Sequence, residues 1–205
     1  MVLSALLGAL GALLVSSSAA EPYFSVDAAL AYRTGRFRWA SPPLISPGLG
    51  WVDPTPVVAD GRVSAVGVMV DGAGGYTLRS AVSIAAEAGL GVLGSASSNL
   101  GWSNISFIAH LRFGCRLEFR FGYTFYARTS YGLESLLYML ETLDIGARDN
   151  VVQREMMIGP YAALTHGLRM KNLGLFVRGE LGRVTSTHAT FTPMTFAVGA
   201  DVTWF

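Results

Sequence analysis

Apolar and polar residues alternate with period two over long stretches of the chain, as expected of strands that divide two environments. From Phe24 to Tyr32, Phe24, Val26, Ala28, Leu30 and Tyr32 oppose Ser25, Asp27, Ala29 and Ala31. From Thr77 to Leu90, Leu78, Val82, Ile84, Ala86 and Leu90 oppose Arg79, Ser83, Glu87 and Gly89. Ile105, Phe107, Ala109, Leu111 and Phe113 oppose Ser106, His110 and Arg112, with Ile108 out of step. From Arg116 to Arg128, Leu117, Phe119, Phe121, Tyr123 and Phe125 oppose Glu118, Arg120, Gly122, Thr124 and Tyr126. Leu173, Leu175, Val177, Gly179 and Leu181 oppose Gly174, Phe176, Arg178, Glu180 and Gly182. Met194, Phe196, Val198, Ala200, Val202 and Trp204 oppose Thr195, Ala197, Gly199, Asp201 and Thr203. Two segments alternate more weakly: Arg62 to Asp71, and Gln153 to Leu164, where Glu155 lies on the polar face.

These are eight predicted strands of about 10–13 residues, the length of a tilted membrane-spanning strand and about twice that of an ordinary soluble one. The weaker pair leaves a ten-strand alternative open. Connections near 34–61, 91–102, 129–152 and 185–190 are mostly long, whereas those near 72–76, 114–115 and 165–172 are short. Long loops at one end and tight turns at the other predict an all-β, antiparallel, up-and-down transmembrane β-barrel with both termini at the turn end, the periplasm. Amphipathic aromatic rings favour the two interfaces. Tyr23, Tyr76, Phe113, Trp204 and Phe205 are expected as the periplasmic girdle, and Tyr32, Trp102, Phe125, Tyr126 and Phe191 as the opposite one.

The chain has 205 residues, 51% hydrophobic and 14% charged, with a formal net charge of +1. That balance argues against disorder and gives no electrostatic reason to expect nucleic acid. No stretch after Ala20 is a run of about 20 apolar residues, so the hydrophobicity is stored in strands rather than spanning helices. Residues 1–20 carry no charged side chain: an apolar run to Val15 is followed by Ser16-Ser17-Ser18-Ala19-Ala20. This reads as a signal peptide with small residues at the cleavage site, although the n-region lacks Lys or Arg. Export would leave residues 21–205 as the barrel domain.

With that export signal, the strand spacing, segments such as Arg116-Leu-Glu-Phe-Arg-Phe-Gly-Tyr and a last strand ending in Phe205, the sequence resembles the small eight-stranded outer-membrane β-barrels of the OmpA and OmpX type. The resemblance implies a bacterial outer-membrane location, contact with outer-membrane lipid and lipopolysaccharide, and recognition of the last strand by the barrel-insertion machinery. One position departs: the terminal aromatic of the family is in phase with the lipid-facing residues, but here Trp204 is in phase and Phe205 is one residue out. Either Phe205 overhangs or a bulge shifts the register.

The inward-facing set carries the most chemistry. Asp27, Glu87, Glu118, Glu155, Glu180 and Asp201 are expected inside with Arg79, Arg112, Arg120, Arg178 and His110, and Arg33 could join them. An eight-stranded barrel has room only for its own side chains, and charges buried there must pair. Such a network is either a packed polar plug or a path gated by switching salt bridges. Arginine's planar fork suits bidentate pairing with carboxylates, and all the basic residues except Lys171 are Arg.

The loops supply the remaining candidates. The first, about 34–61, holds five of the eight prolines with Phe37, Trp39 and Trp51. In the third, Leu133, Leu136, Leu137, Leu140 and Leu143 recur at 3/4 spacing, which predicts a short amphipathic helix over 132–144. Cys115 falls in the shortest turn, His166 in a periplasmic turn, and His188 beside Ser186 in the fourth loop. His188 with Ser186 is the one pair that suggests nucleophilic catalysis, although its spacing does not reproduce the His-x-Ser arrangement of barrel deacylases. No cofactor or metal motif is present. The expected role is structural or surface-binding, in envelope integrity or adhesion, with the loops as the place for an extracellular ligand. A narrow solute channel and an outer-leaflet lipid-modifying enzyme are the alternatives.

Overall fold

A computed structural model describes residues 20–40, 44–45, 52–53, 58–78, 81–100, 103–122, 124–142 and 151–205. Eight long strands follow in chain order: β1 Glu21–Ala40, β2 Val58–Leu78, β3 Val82–Asn99, β4 Ser103–Phe121, β5 Phe125–Thr142, β6 Val151–Met170, β7 Leu173–Gly182 and β8 Ala189–Trp204. The two-residue piece Val184–Thr185 prolongs β7 beyond Arg183 and pairs with both β6 and β8. Leu44–Ile45 pairs with Val52–Asp53 within the first loop. Every long strand runs antiparallel to its neighbours, and β1 pairs with β8 as well as β2, so the sheet closes and leaves no edge.

The register fixes the shape. Cα partners followed round the wall from Phe24 run through Gly74, Ala86, Cys115, Tyr131, Ala162, Leu181 and Met194, returning to β1 at Thr34. The circuit thus climbs from position 24 to position 34, a shear of ten residues. With eight strands this gives a tilt of about 40° and a bore that side chains alone can fill.

Burial is inverted along the middle of every strand. Among the described residues thirty-two large apolar side chains are exposed, including Leu30 at 69% and Val198 at 65%, while Arg33 and Glu118 are buried at 1% and 0%. Monomeric soluble proteins rarely expose apolar patches beyond a few hundred Å². An outward apolar belt over a charged interior is the arrangement that suits hydrocarbon outside, where a closed ladder lets backbone donors and acceptors pair within the sheet.

At the loop end the inversion reverses. On β1 the inward residues change from Asp27 and Arg33 to Phe37 and Trp39, while the outward ones change from Leu30 and Tyr32 to Arg36 and Arg38. On β8 the inward set goes from Thr195 to Phe191, and on β4 from His110 to Ile108 and Ile105. Among the described residues, Phe37, Trp39, Leu93, Leu136, Tyr138, Met157 and Phe191 belong to one buried apolar cluster that fills the bore above the charged column. The barrel is therefore built in two storeys: apolar outside and charged inside below, polar outside and apolar inside above.

The upper storey corrects several sequence expectations. Apart from β7, the strands are 16 to 21 residues long, so residues 34–40, 58–61, 91–99, 129–142 and 151–152, expected as loops, are strand extensions. Residues 125–142 are strand, which removes the helix expected over 132–144; residues 143 and 144 lie outside the described part. Leu136 points in and Leu133 and Leu137 point out, so leucine on both faces mimicked helical spacing. Phe37 and Trp39 are wall residues of β1. β2 ends at Leu78 and β3 begins at Val82, β4 ends at Phe121 and β5 begins at Phe125, and β6 ends at Met170 and β7 begins at Leu173, so 72–76, 114–115 and most of 165–172 are strand rather than turn. Glycines misled the reading: a Cβ on Gly75 would lie 1.9 Å from the Ile84 carbonyl, and one on Gly114 2.2 Å from that of Tyr131. These glycines serve close approach inside a strand rather than a turn. Cys115 is consequently on the outer wall of β4, and His166 on the outer wall of β6. Ile105 turns inward because the register slips between Ile105 and Phe107.

Candidate functional site

The site is the charged column inside the lower storey. At its base Glu118, on β4, accepts from four donors: Tyr23 Oη at 3.0 Å, Arg128 Nε at 2.6 Å, Arg169 Nη1 at 2.7 Å and Arg120 Nε at 3.1 Å. Asp201 on β8 accepts from Arg128 Nη2 at 2.6 Å, Arg169 Nη2 at 2.7 Å and Tyr126 Oη at 2.7 Å. The guanidinium groups of Arg128 and Arg169 each lie 4.4 Å from the centre of the Tyr126 ring. Arg120 stacks 3.8 Å over Phe205 at the turn-end mouth.

The middle tier is centred on Glu87. It takes Arg116 Nε at 2.6 Å, Ser130 Oγ at 3.0 Å and Tyr161 Oη at 3.1 Å, and Arg178 Nη2 lies 3.6 Å away. Arg116 also reaches Asp27 at 2.5 Å. In the top tier Arg112 makes a bidentate pair with Asp71 and donates to Glu180 at 2.5 Å. Arg33 joins Glu180 at 2.9 Å to Glu134 at 2.6 Å, and His110 Nδ1 lies 2.8 Å from Glu134. Each carboxylate thus meets several donors, which is the condition for burying charge at tolerable cost. Small residues make the space. A Cβ on Gly89 would strike Asp71 Oδ1 at 1.8 Å, and one on Gly174 would strike Asp201 Oδ1 at 2.0 Å.

Of the residues expected in this network, the structure gathers Asp27, Arg33, Glu87, His110, Arg112, Glu118, Arg120, Arg178, Glu180 and Asp201. Arg79 lies outside the described residues. Glu155 is not in the column; it sits at the loop end. Five members were missed: Asp71, Arg116, Arg128, Glu134 and Arg169. Arg116 and Arg128 stood at the two ends of the strand expected over 116–128, Arg169 fell at a supposed turn and Glu134 in the supposed helix. Continuity of phase was the available signal, since Arg112, Arg116, Glu118 and Arg120 share one parity across the supposed turn at 114–115.

The girdle needs correction. Tyr23, Tyr126 and Phe191 are buried inside the barrel, the two tyrosines as hydrogen-bond donors to the column and Phe191 in the upper core. Phe205 follows inward-facing Thr203 in phase and lies 5.9 Å from the Tyr23 ring, so it faces the mouth rather than lipid. Phe113 is exposed in mid-strand, and Phe125 stands at the turn end. Tyr76 and Trp204 are exposed near the turn end, and Tyr32 near the top of the belt. Trp102 lies outside the described residues.

A second polar cluster closes the loop end. Tyr138 Oη donates to Glu155 Oε2 at 2.9 Å, the His188 amide donates to Oε1 at 3.4 Å, and His188 Nδ1 is 3.5 Å from Oε1. Burial works against the Glu155 carboxylate, but hydrogen bonds from Ser186, Tyr138 and the His188 amide outweigh it and hold its pKa below the ordinary value. Ser186 Oγ accepts from the Ala189 amide at 3.0 Å. The serine thus serves turn and carboxylate, and these contacts do not align it as a nucleophile on His188.

No protein-family model matches the sequence, and no curated protein does. Solved structures share the fold. The attachment invasion locus protein Ail of Yersinia pestis is 9% identical with a TM-score of 0.54, covering 90% of this chain and 99% of its own. Ail in complex with the heparin analogue sucrose octasulfate gives 11% identity and 0.53 over the same shares. The outer-membrane protease OmpT from Escherichia coli gives 11% and 0.54, covering 92% of this chain and 99% of its own. The fold is that of the small outer-membrane β-barrels.

Proposed function

We propose that this chain is a bacterial outer-membrane barrel with a sealed interior, structural or surface-binding in role, acting in envelope integrity or adhesion. In this reading residues 1–20 are an export signal, the turn end faces the periplasm and the loop end faces outward. Outer-leaflet lipid surrounds the belt, the insertion machinery engages β8, and an extracellular ligand meets the loops. The observation that carries the sealed interior is its filling. A column of mutually paired charges occupies the lower bore, and Phe37, Leu136, Tyr138 and Phe191 pack across the upper one. A hydrated path would have to break the first and open the second. The arrangement of Ser186 favours a non-enzymatic role. Shared architecture with Ail fits adhesion and that with OmpT fits proteolysis, so fold alone does not choose between them.

Planar bilayers test the sealed interior. Purified, folded protein is expected to give no discrete conductance steps at low or high salt. Reproducible single-channel steps would overturn the sealed reading in favour of a narrow channel.

A further inference from the structure

Below the charged column, the turn end of the bore opens into a cavity of about 800 Å³, a size usual for small-molecule sites. Arg120, Arg169, Lys171, Asn172 and Phe205 are among the residues that line it, and no described lining residue carries a side-chain carboxylate. The charges above it are unevenly distributed. The base of the column sets Arg120, Arg128 and Arg169 against Glu118 and Asp201, whereas the middle tier sets Arg116 against Asp27 and Glu87. The positive excess therefore faces the mouth, and Lys171 adds to it. Side chains leave two positive charges in excess there, or one once a main-chain carboxylate at Phe205 is counted.

The lining cations differ in what they already hold. Arg120 is engaged by Glu118, Thr77 and Ser83 and stacks on Phe205. Arg169 is 6% exposed; its two Nη atoms serve Glu118 and Asp201, but its buried Nε has no hydrogen-bond partner among the described residues. A buried donor without an acceptor is costly, so an acceptor is expected beside it. Lys171 is the chain's single lysine, exposed in the connection from β6 to β7, and forms no ion pair among the described residues. Its φ of 57° lies in the left-handed region, where glycine or asparagine ordinarily stands. A cation is thus kept where its own backbone is disfavoured, a pattern common at functional positions.

We propose that this mouth is a binding site for the phosphate monoester of a small organic molecule, with phosphate between Lys171 and Arg169 and the organic part against Phe205. A monoester phosphate carries about −1.5 to −2 charges at neutral pH and three strong acceptor oxygens. That matches the excess charge at the mouth and gives Arg169 Nε its acceptor. A carboxylate brings less charge. The cavity is too large for phosphate alone, and half-exposed Phe205 supplies an apolar side for the rest of the ligand. The site lies at the end opposite the loops, and in the outer-membrane reading it opens to the periplasm. Binding itself requires the folded barrel and not that location.

The test titrates the mature chain, folded in phosphatidylcholine nanodiscs, with phenyl phosphate while its amide resonances are followed. Saturable shifts are expected at Gly122, Lys171 and Asn172, and none at Thr190 at the loop end. Phenyl phosphate is expected to bind severalfold more tightly than inorganic phosphate, benzoate or glycerophosphocholine. These three stand for the bare anion, a carboxylate and a lipid headgroup. Lys171→Gln lies outside the column, so it is expected to leave the urea midpoint unchanged and to weaken phenyl phosphate about threefold to fivefold. Lys171→Arg is expected to retain binding. Shifts that do not saturate, an affinity unmoved by Lys171→Gln, or equal affinities for all four probes would each overturn the site. Tighter binding of glycerophosphocholine would overturn it in favour of a lipid headgroup. Failure of the chain to insert would overturn the membrane reading alone, and the same titration in detergent micelles would then decide the site.

Discussion

Glu118 shows what a single residue does in this fold. It is fully buried, and its two oxygens serve Tyr23, Arg120, Arg128 and Arg169. Removing it leaves guanidinium groups without their counter-charge in a water-poor bore. Glu118→Ala is expected to destabilise the folded barrel by about 3–5 kcal/mol, the usual cost of breaking a buried pair. A lower urea midpoint for unfolding from lipid vesicles checks this, and an unchanged midpoint contradicts it. Residues of this kind were legible where alternation was clean. Asp27, Glu87, Arg112, Arg178, Glu180 and Asp201 all stand opposite apolar neighbours. Tyr23 and Tyr126 were not, because a tyrosine suits both an interface and a buried hydrogen-bonded site; which it takes depends on the strand's phase.

At the scale of the element, strands were visible wherever their two faces differed. They vanished where the faces became alike. In β5 above Glu134, leucine lies both inside at Leu136 and outside at Leu133 and Leu137, so periodicity no longer separated strand from helix. Glycine-rich stretches of β2 and β4 looked like turns because sequence does not show a facing backbone. The turn joining β7 and β8 is fastened by Glu155 of β6, which lies above the belt. The Glu155 pKa is depressed in the folded chain, so its stabilising contribution is complete above the ordinary glutamate value and is lost as pH falls through the lower folded value. Exchange of the His188 and Ala189 amides, corrected for intrinsic rates, is expected to speed up severalfold from about pH 5 to about pH 3. Glu155→Gln should remove that dependence. Exchange that is pH-independent in the wild type would show that the clasp does not hold the turn.

For the whole molecule, the register determines the rest. Eight strands with a shear of ten make a narrow tilted wall, and a narrow wall must be filled by its own side chains. Within an apolar surround the filling is charged and paired; above it, the filling is apolar as in a soluble core. The outward change from Tyr32 to Arg36 and the inward change from Arg33 to Phe37 occur within the same few residues of β1. That coincidence gives the position of the membrane boundary from two independent faces. The class of fold was legible from strand length, alternation and the order of short and long connections. The two-storey filling was not, because it depends on how far the strands rise beyond the belt.

The boundary is the central claim, and contacts with lipid chains test it most directly. In nanodiscs, NOEs from acyl methylene protons to backbone amides are expected along β1 from Phe24 to Tyr32, ending before Arg36. On β8 they are expected from Met194 to Trp204 and absent at Thr190. Acyl contacts that continue through Arg36 to Ala40, or a protein that stays in solution without acyl contacts, would contradict the two-storey barrel.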